Sequence, residues 1–396
     1  MRTTATTHLM RRLNSSAILD LIREQSPIAQ SQISRQLNIS MPTVQRIAED
    51  LIEKDLVRWS GDMQASGGRP RKLLEFNHSG YAVLGLDLGG TKLFGTIADL
   101  GGQIQAERTM PWQENSPEAC LDQVNRLIDD LLTAPRPDGQ KVLGIGVGAP
   151  GVTYFDEGIV AWAPSLGWRD LPLRDIISQR YHLPVIVEND VNLAAMGEYS
   201  FGAGKGTSSL VCITVGTGIG AGIVFDRKIY RGHNHCAGEI GYLPTDLGCM
   251  GQKYEDFGAL ESIASGLGIE KGAQKLFEEA GWPIPADGLS AENIFQASRE
   301  GEDWAQKLVG ETIDYLSMTI AAISITIDPE ILVIGGGVAN SADLLIPGIL
   351  KRLDGVIPVH PNLVSSDLGS RAAVMGAISM VLDMTTERIV LSSILE

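Results

Sequence analysis

The sequence predicts a small helical head that ends in two short strands, followed by a larger α/β body. Three observations point there. Residues 1–76 contain three short stretches of helical apolar spacing separated by turn residues, then two β-like runs. The remaining chain alternates short β-branched runs with longer amphipathic ones. Two of the β-branched runs end in loops built from glycine and threonine.

In the head, Asn14-Ser15-Ser16 is expected to cap a first helix with Ile18, Leu21 and Ile22 on its apolar side. Ser26-Pro27 breaks the pattern, and Ile33 and Leu37, four apart, define a second helix. Asn38-Ile39-Ser40 supplies the turn. A third helix carries Pro42 in its first turn and Val44, Ile47, Ala48, Leu51 and Ile52 on one face. Burial of that face leaves Thr43, Gln45 and Arg46 outward near the helix N-terminus. A recognition helix presents side chains to base edges and phosphates at that position. Residues 56–59 and 73–76 then read as strands around a glycine- and serine-containing tip, a wing whose Arg69, Arg71 and Lys72 can reach a DNA backbone or minor groove. This order predicts a winged helix-turn-helix over residues 1–76 and operator DNA as partner; the plainer alternative is a helical bundle used for protein contacts.

Bulk properties agree with a head and a separate body. A chain of 396 residues exceeds one ordinary core. Its net charge of −16 argues against wholesale nucleic-acid binding, yet the charge is uneven: 11 Lys and Arg against 8 Asp and Glu in residues 1–76, and 21 against 40 afterwards. No apolar run reads as a membrane span, and the N-terminus lacks the apolar stretch of a signal peptide. Cys120, Cys212, Cys236 and Cys249 form no disulfide framework. A cytoplasmic protein without a membrane partner is the expectation.

Strand candidates in the body are residues 81–86, 142–147, 185–188, 210–215, 222–225 and 331–334, with helices over 119–132 and 304–327. The first strand delivers Asp87-Leu-Gly-Gly-Thr-Lys92. Gly89 and Gly90 let backbone amides approach an anion, Thr91 and Lys92 add a hydroxyl and a charge, and Asp87 offers a ligand for Mg2+. Val215-Gly-Thr-Gly-Ile-Gly220 repeats the theme in a later segment, so Gly216, Thr217, Gly218 and Gly220 face the same task. Two such loops, one per half, suit a grip on a triphosphate from both sides. Ile334-Gly-Gly-Gly-Val338 adds a bare turn at Gly335, Gly336 and Gly337 where an adenosine can lie. Glu188-Asn-Asp190 ends an apolar strand, so Asn189 and Asp190 can project into a cleft, cap the helix that follows, or do both.

Taken together, Ser66-Gly-Gly-Arg-Pro70, DLGGTK, Gly148-Ala-Pro-Gly151, Glu188-Asn-Asp190, VGTGIGAG (215–222), Gly238-Glu-Ile-Gly241 and IGGGV resemble the ROK family of repressors, open reading frames and kinases, in its winged-helix regulator branch. The resemblance spans essentially the whole chain. It implies an actin-like, ribonuclease-H-like two-lobed sugar-kinase fold, with lobes over 77–198 and 199–396 and the last helix returning to the first lobe, and homodimers or homotetramers. It also implies Asp190 as catalytic base, with Gly151, Asn189, Asp190, Glu239 and Glu261 touching sugar hydroxyls. Two departures bear on the ligand. The family's usual His after Glu-Ile-Gly is Tyr242 here, whose hydroxyl is still expected to reach the sugar, and its usual Asn is Ser165. Of the family's zinc cysteines only Cys249 stands in the stretch 248–261, and one thiolate cannot build a tetrahedral site, so a structural zinc is expected to be absent. His233, His235 and Cys236 read as a polar loop.

The function expected from this reading is a sugar-responsive DNA-binding regulator of carbohydrate metabolism, a repressor that needs no cofactor and takes a sugar or sugar phosphate. The alternative is an ATP-dependent sugar kinase of hexose or N-acetylhexosamine type, using ATP and Mg2+, with the head as its regulatory attachment.

Overall fold

The computed structural model describes residues 7–64, 71–114, 116–254 and 258–395. The head opens with helices α1 (Thr7–Gln25), α2 (Gln30–Leu37) and α3 (Met41–Glu53), then strands β1 (Val57–Gln64) and β2 (Arg71–Phe76). Helix α1 starts well before the expected cap, and Asn14, Ser15 and Ser16 lie inside it. Serine and asparagine cost a helix interior less than about 0.7 kcal/mol each, too little to stop a helix whose Ile18 and Ile22 are fully buried. Asn38, left-handed at φ 53°, ends α2 and returns its N–H to the Ser34 carbonyl. Val44, Ile47, Ala48 and Leu51 of α3 close the head core with Ile33, Leu56 and Leu74. Strands β1 and β2 pair antiparallel, Val57 opposite Phe76, and the tip between them, including Arg69, lies outside the described residues.

The body holds two five-stranded sheets of the same design. In the first lobe β3 (Tyr81–Leu88), β4 (Lys92–Asp99) and β5 (Ile104–Pro111) form an antiparallel meander. Helix α4 (Pro117–Thr133) then crosses to β6 (Lys141–Ala149), parallel to β3. A small antiparallel sheet, β7 (Val152–Tyr154), β8 (Ile159–Ala163) and β9 (Trp168–Leu171), precedes α5 (Leu173–Tyr181), β10 (Val185–Asn189) and α6 (Asp190–Phe201). The order is β10-β6-β3-β4-β5.

The second lobe repeats it. Strands β11 (Ser209–Val215), β12 (Ile219–Phe225) and β13 (Lys228–Ile229) form the meander. Helices α7 (Glu261–Ala264), α8 (Gly266–Ala280), α9 (Ala291–Glu300) and α10 (Asp303–Thr326) lead to β14 (Ile331–Gly335); α11 (Ala342–Leu353), β15 (Leu363–Ser365) and α12 (Ala372–Leu395) complete the chain. The order β13-β12-β11-β14-β15 is that of the first sheet, strand for strand. Helix α10 is long and apolar enough to cross a membrane by length and composition, but Leu316, Ile320 and Ile323 pack into the second lobe's core.

Helices α6 and α12 exchange partners and cross between the lobes. Helix α6 follows the first sheet in sequence yet packs on β11 and β12, while α12, last in the chain, packs on β3 and β6. A boundary drawn at residue 198 therefore cuts through α6, whose last turn continues to Phe201. The crossing is close because it is made of glycine: a Cβ on Gly376 would stand 1.8 Å from the Leu193 carbonyl, and one on Gly197 2.0 Å from that of Ala372. Helix α12 also carries the head, since Ile18 and Ile22 of α1 share its apolar cluster with Ile378, Val381 and Leu382.

Candidate functional site

Strand β10 ends in the residues that matter most. The Asn189 side chain accepts from Asn192 N at 3.0 Å, capping α6, and its Nδ2 donates to the Gly151 carbonyl at 3.0 Å. Capping and pointing toward the cleft are thus one arrangement. Gly151 sits at φ +78°, and a Cβ there would meet the Trp162 carbonyl at 2.1 Å, so only glycine lets the turn after β6 pass this close to β8. Asp190 follows as the first residue of α6, with Oδ1 accepting from Val191 N at 2.9 Å.

Asp190 belongs to a series of carboxylates. Asp87, at the end of β3, lines the same cleft together with Thr214, Gly335, Gly336 and Ser370. Burial, reinforced by the Asp87 charge, pushes the Asp190 carboxyl up to about 8, and Glu239 acts in the same sense. Burial raises Asp87 to about 6, against the pull of Lys92. Glu239 is raised by burial and by Glu261. Glu261 is raised by burial and partly relieved by the Ile219 N–H, which it accepts at 2.6 Å. Four acids with few cations among them form a set of acceptors for a neutral polyhydroxylated ligand. Tyr242 stands over this end, half exposed, its hydroxyl raised by burial and by Glu239 and Glu261.

The glycine loops lie where the two meanders turn. Gly89, Gly90 and Thr91 form the β3–β4 tip, with Lys92 opening β4. Trp112 fastens this tip by donating from Nε1 to the Gly89 carbonyl at 2.8 Å. Gly216, Thr217 and Gly218 form the β11–β12 tip, closed by Gly216 N to the Gly218 carbonyl at 2.9 Å. The tips face one another: a Cβ on Gly90 would be 4.0 Å from the Thr217 methyl. Gly218 turns toward Glu261, and Gly220, inside β12, packs on Val191. Gly336, at φ +83°, folds the chain back on the Val215 carbonyl, and Gly337 opens onto empty space. Among the described residues the cysteines are free; the His235 ring lies tilted against Tyr154 with 5.4 Å between centroids, and Cys249 bonds with Thr245.

In the head, α3 leaves Gln45 and Arg46 exposed, while Thr43 joins Ser40 at the helix N-terminus, their hydroxyls 2.8 Å apart. Arg71 begins β2, and Lys72 lies 5.9 Å above the Trp59 ring.

Comparison with known proteins decides the lineage. The profile of the ROK family matches residues 83–384, and that of a winged helix-turn-helix DNA-binding domain matches residues 11–58. The chain belongs to the ROK family. It is 29% identical to the xylose repressor of Caldicellulosiruptor bescii over 394 residues, covering 94% of this chain and 96% of the repressor. A crystal structure of a ROK family transcriptional regulator, a homologue of the E. coli MLC protein, superposes with a TM-score of 0.82 at 25% identity, over 98% of this chain and 99% of that one. A ROK family glucokinase from Streptomyces griseus, solved with glucose and AMPPNP, gives 0.66 at 29% identity, over 76% of this chain and 98% of the enzyme. The regulator likeness includes the head, and the kinase likeness spans about three quarters of the chain.

Some residues of this ROK site escape a reading by motif. Ser366, Gly369 and Ser370 line the cleft from the loop before α12. Buried Glu198 organises that loop, accepting from the Leu368 amide at 3.0 Å and from the Ser366 hydroxyl. Arg231 pairs with Glu188, one residue before Asn189. None of these carries a local pattern, because their partners come from distant parts of the chain.

Proposed function

We propose that this ROK chain is a sugar-responsive transcriptional repressor of carbohydrate genes. The observation that carries the reading is the pairing, in one chain, of an outward α3 with the Asp190–Glu239–Glu261 acceptor series in an interlobe cleft. Asn189, Asp190, Glu239 and Glu261 accept sugar hydroxyls, Gly151 shapes the wall, and Tyr242 and Ser165 adjust which sugar fits. A bound sugar changes the angle between the lobes, and α12 carries the change to α1. In a homodimer this alters the spacing of two α3 helices, and affinity for a two-half-site operator falls. The test is selection of operator DNA from a random duplex library, followed by anisotropy titration with D-xylose, D-glucose and N-acetylglucosamine. One sugar should weaken binding; unchanged affinity under saturating sugar refutes the proposal.

A second reading is favoured by Asp87 and the two facing glycine tips, which a repressor does not need. The residues present fit a nucleoside triphosphate and its cation. Backbone amides at residues 89–91 and 217–218 with Lys92 suit the phosphates, Asp87 suits Mg2+, and Gly337, with open space beside it, leaves room for an adenosine. ATP would supply the transferred phosphoryl group, with Mg2+ neutralising its charge. Asp190 then takes the proton of the sugar hydroxyl, Asn189 holds its carboxylate through a 3.2 Å hydrogen bond, and lobe closure excludes water. A coupled ADP-release assay decides this: sugar-dependent turnover lost in Asp190→Asn supports it, and no turnover with any sugar removes it.

A further inference from the structure

We infer that the β12–β13 hairpin couples the cleft to the DNA-reading head, with Arg231 sensing the sugar site at one end and Arg227 contacting the head at the other. The inference rests on the reading of the cleft as a sugar site.

The hairpin is stiff. Phe225 pairs with Lys228 and Val224 with Ile229, so Asp226 and Arg227 form a two-residue loop. Both have positive φ, 45° and 64°, the geometry that matches the twist of the flanking strands. Just beyond β13, Arg231 leaves the second lobe and enters the first. Its Nε and Nη2 donate to Glu188 Oε2 at 2.7 and 2.6 Å, and its guanidinium lies 4.1 Å from the Phe155 ring centroid. Glu188 is 1% exposed. The other oxygen of Glu188 accepts from Asn189 N at 2.9 Å and from Asn192 Nδ2 at 3.0 Å. One carboxylate therefore ties a second-lobe arginine to the strand end and helix turn that hold Asn189 and Asp190. A buried pair of this kind holds its geometry firmly, because separation leaves a charge without a partner. Arg231 touches no ligand position itself; it is a positioning residue.

At the hairpin tip, about 13 Å away along the strand, Arg227 meets the head. Its guanidinium lies 4.0 Å from Glu24 of α1 and 3.7 Å from Asp383 of α12, and Asp383 also accepts from Arg23 of α1 at 3.0 Å. Nearby Asp20 of α1 is raised by burial, while Arg227 pulls it back. These contacts are half exposed and individually weak, which suits a signal of a few-fold that is easily made and broken. A tilt of the second lobe moves both ends together.

The test is hydrogen exchange on the full-length protein, read at residues 18–24 and 185–192, in wild type, Arg231→Lys, Arg227→Ala and the double variant. Without sugar, Arg231→Lys should raise exchange at 18–24 by about three-fold, and in the Arg227→Ala background it should raise nothing there. An equal rise in both backgrounds, or no rise in either, overturns the proposal. Should Arg231→Lys fold poorly, the paired Glu188→Gln, Arg231→Gln variant leaves no unpaired charge and carries the same expectation. D-xylose, D-glucose and N-acetylglucosamine are then added. Protection at 185–192, with a change at 18–24 that Arg227→Ala removes, extends the coupling to ligand. Absence of protection beside a positive sugar-free result refutes the sugar reading and leaves the coupling standing.

Discussion

Asp190 concentrates the chemistry of the cleft because its surroundings oppose its charge. Burial and the neighbouring Asp87 hold its carboxyl near 8, whereas an unfolded chain releases that proton near 3.8. Between those values the folded state binds the extra proton, so this group's contribution makes stability fall as pH rises through the window. Replacement by Asn removes the dependence. Asp190→Asn should match wild type in melting temperature near pH 4 and melt higher near pH 7.5, by about 2–4 °C for each kcal/mol retained. Differential scanning calorimetry at the two pH values checks this, and an equal offset at both would reject the assignment. At this scale the sequence was informative wherever a motif is contiguous: Asn189 and Asp190 adjoin in sequence and in space. Glu188's partner Arg231 is 43 residues away, and Glu198's loop about 170, so neither pair leaves a local trace.

Elements carry the next layer. Helix α3 is legible in sequence because one face is apolar at helical spacing, whereas the start of α1 is not, because polar residues inside a packed helix resemble a cap. Outward Arg46 yields a prediction at this level: Arg46→Ala should weaken operator binding about ten-fold without lowering the melting temperature. Anisotropy beside a thermal melt separates that from unfolding. The crossing of α6 and α12 yields another. A methyl at Gly376 would press on the Leu193 carbonyl, which belongs to a helix backbone and cannot move aside alone. Gly376→Ala should therefore cost about 2 kcal/mol or more in urea unfolding. Unchanged stability would mean that the helices separate freely, and that the crossing is not a constrained pivot.

For the whole molecule, the duplicated sheet order explains why two glycine tips face one cleft, and the swapped helices explain how that cleft reaches the head. The glycine–threonine echo was visible in the chain as text. The exchange of α6 and α12 was not, because helix spacing records which face is buried and not against which sheet. The small β7–β9 sheet escaped for a related reason: its strands are three to five residues long and carry too little alternation to read.

A sugar-responsive repressor must couple sugar in the cleft to DNA on α3. The most direct measurement is operator affinity by fluorescence anisotropy, with and without each sugar, alongside calorimetric sugar binding to the same preparation. A sugar that binds and weakens operator affinity at least ten-fold, with both effects reduced in an Asn189→Ala variant, is the predicted result. Sugar binding by calorimetry with operator affinity unchanged would mean that cleft and head are uncoupled.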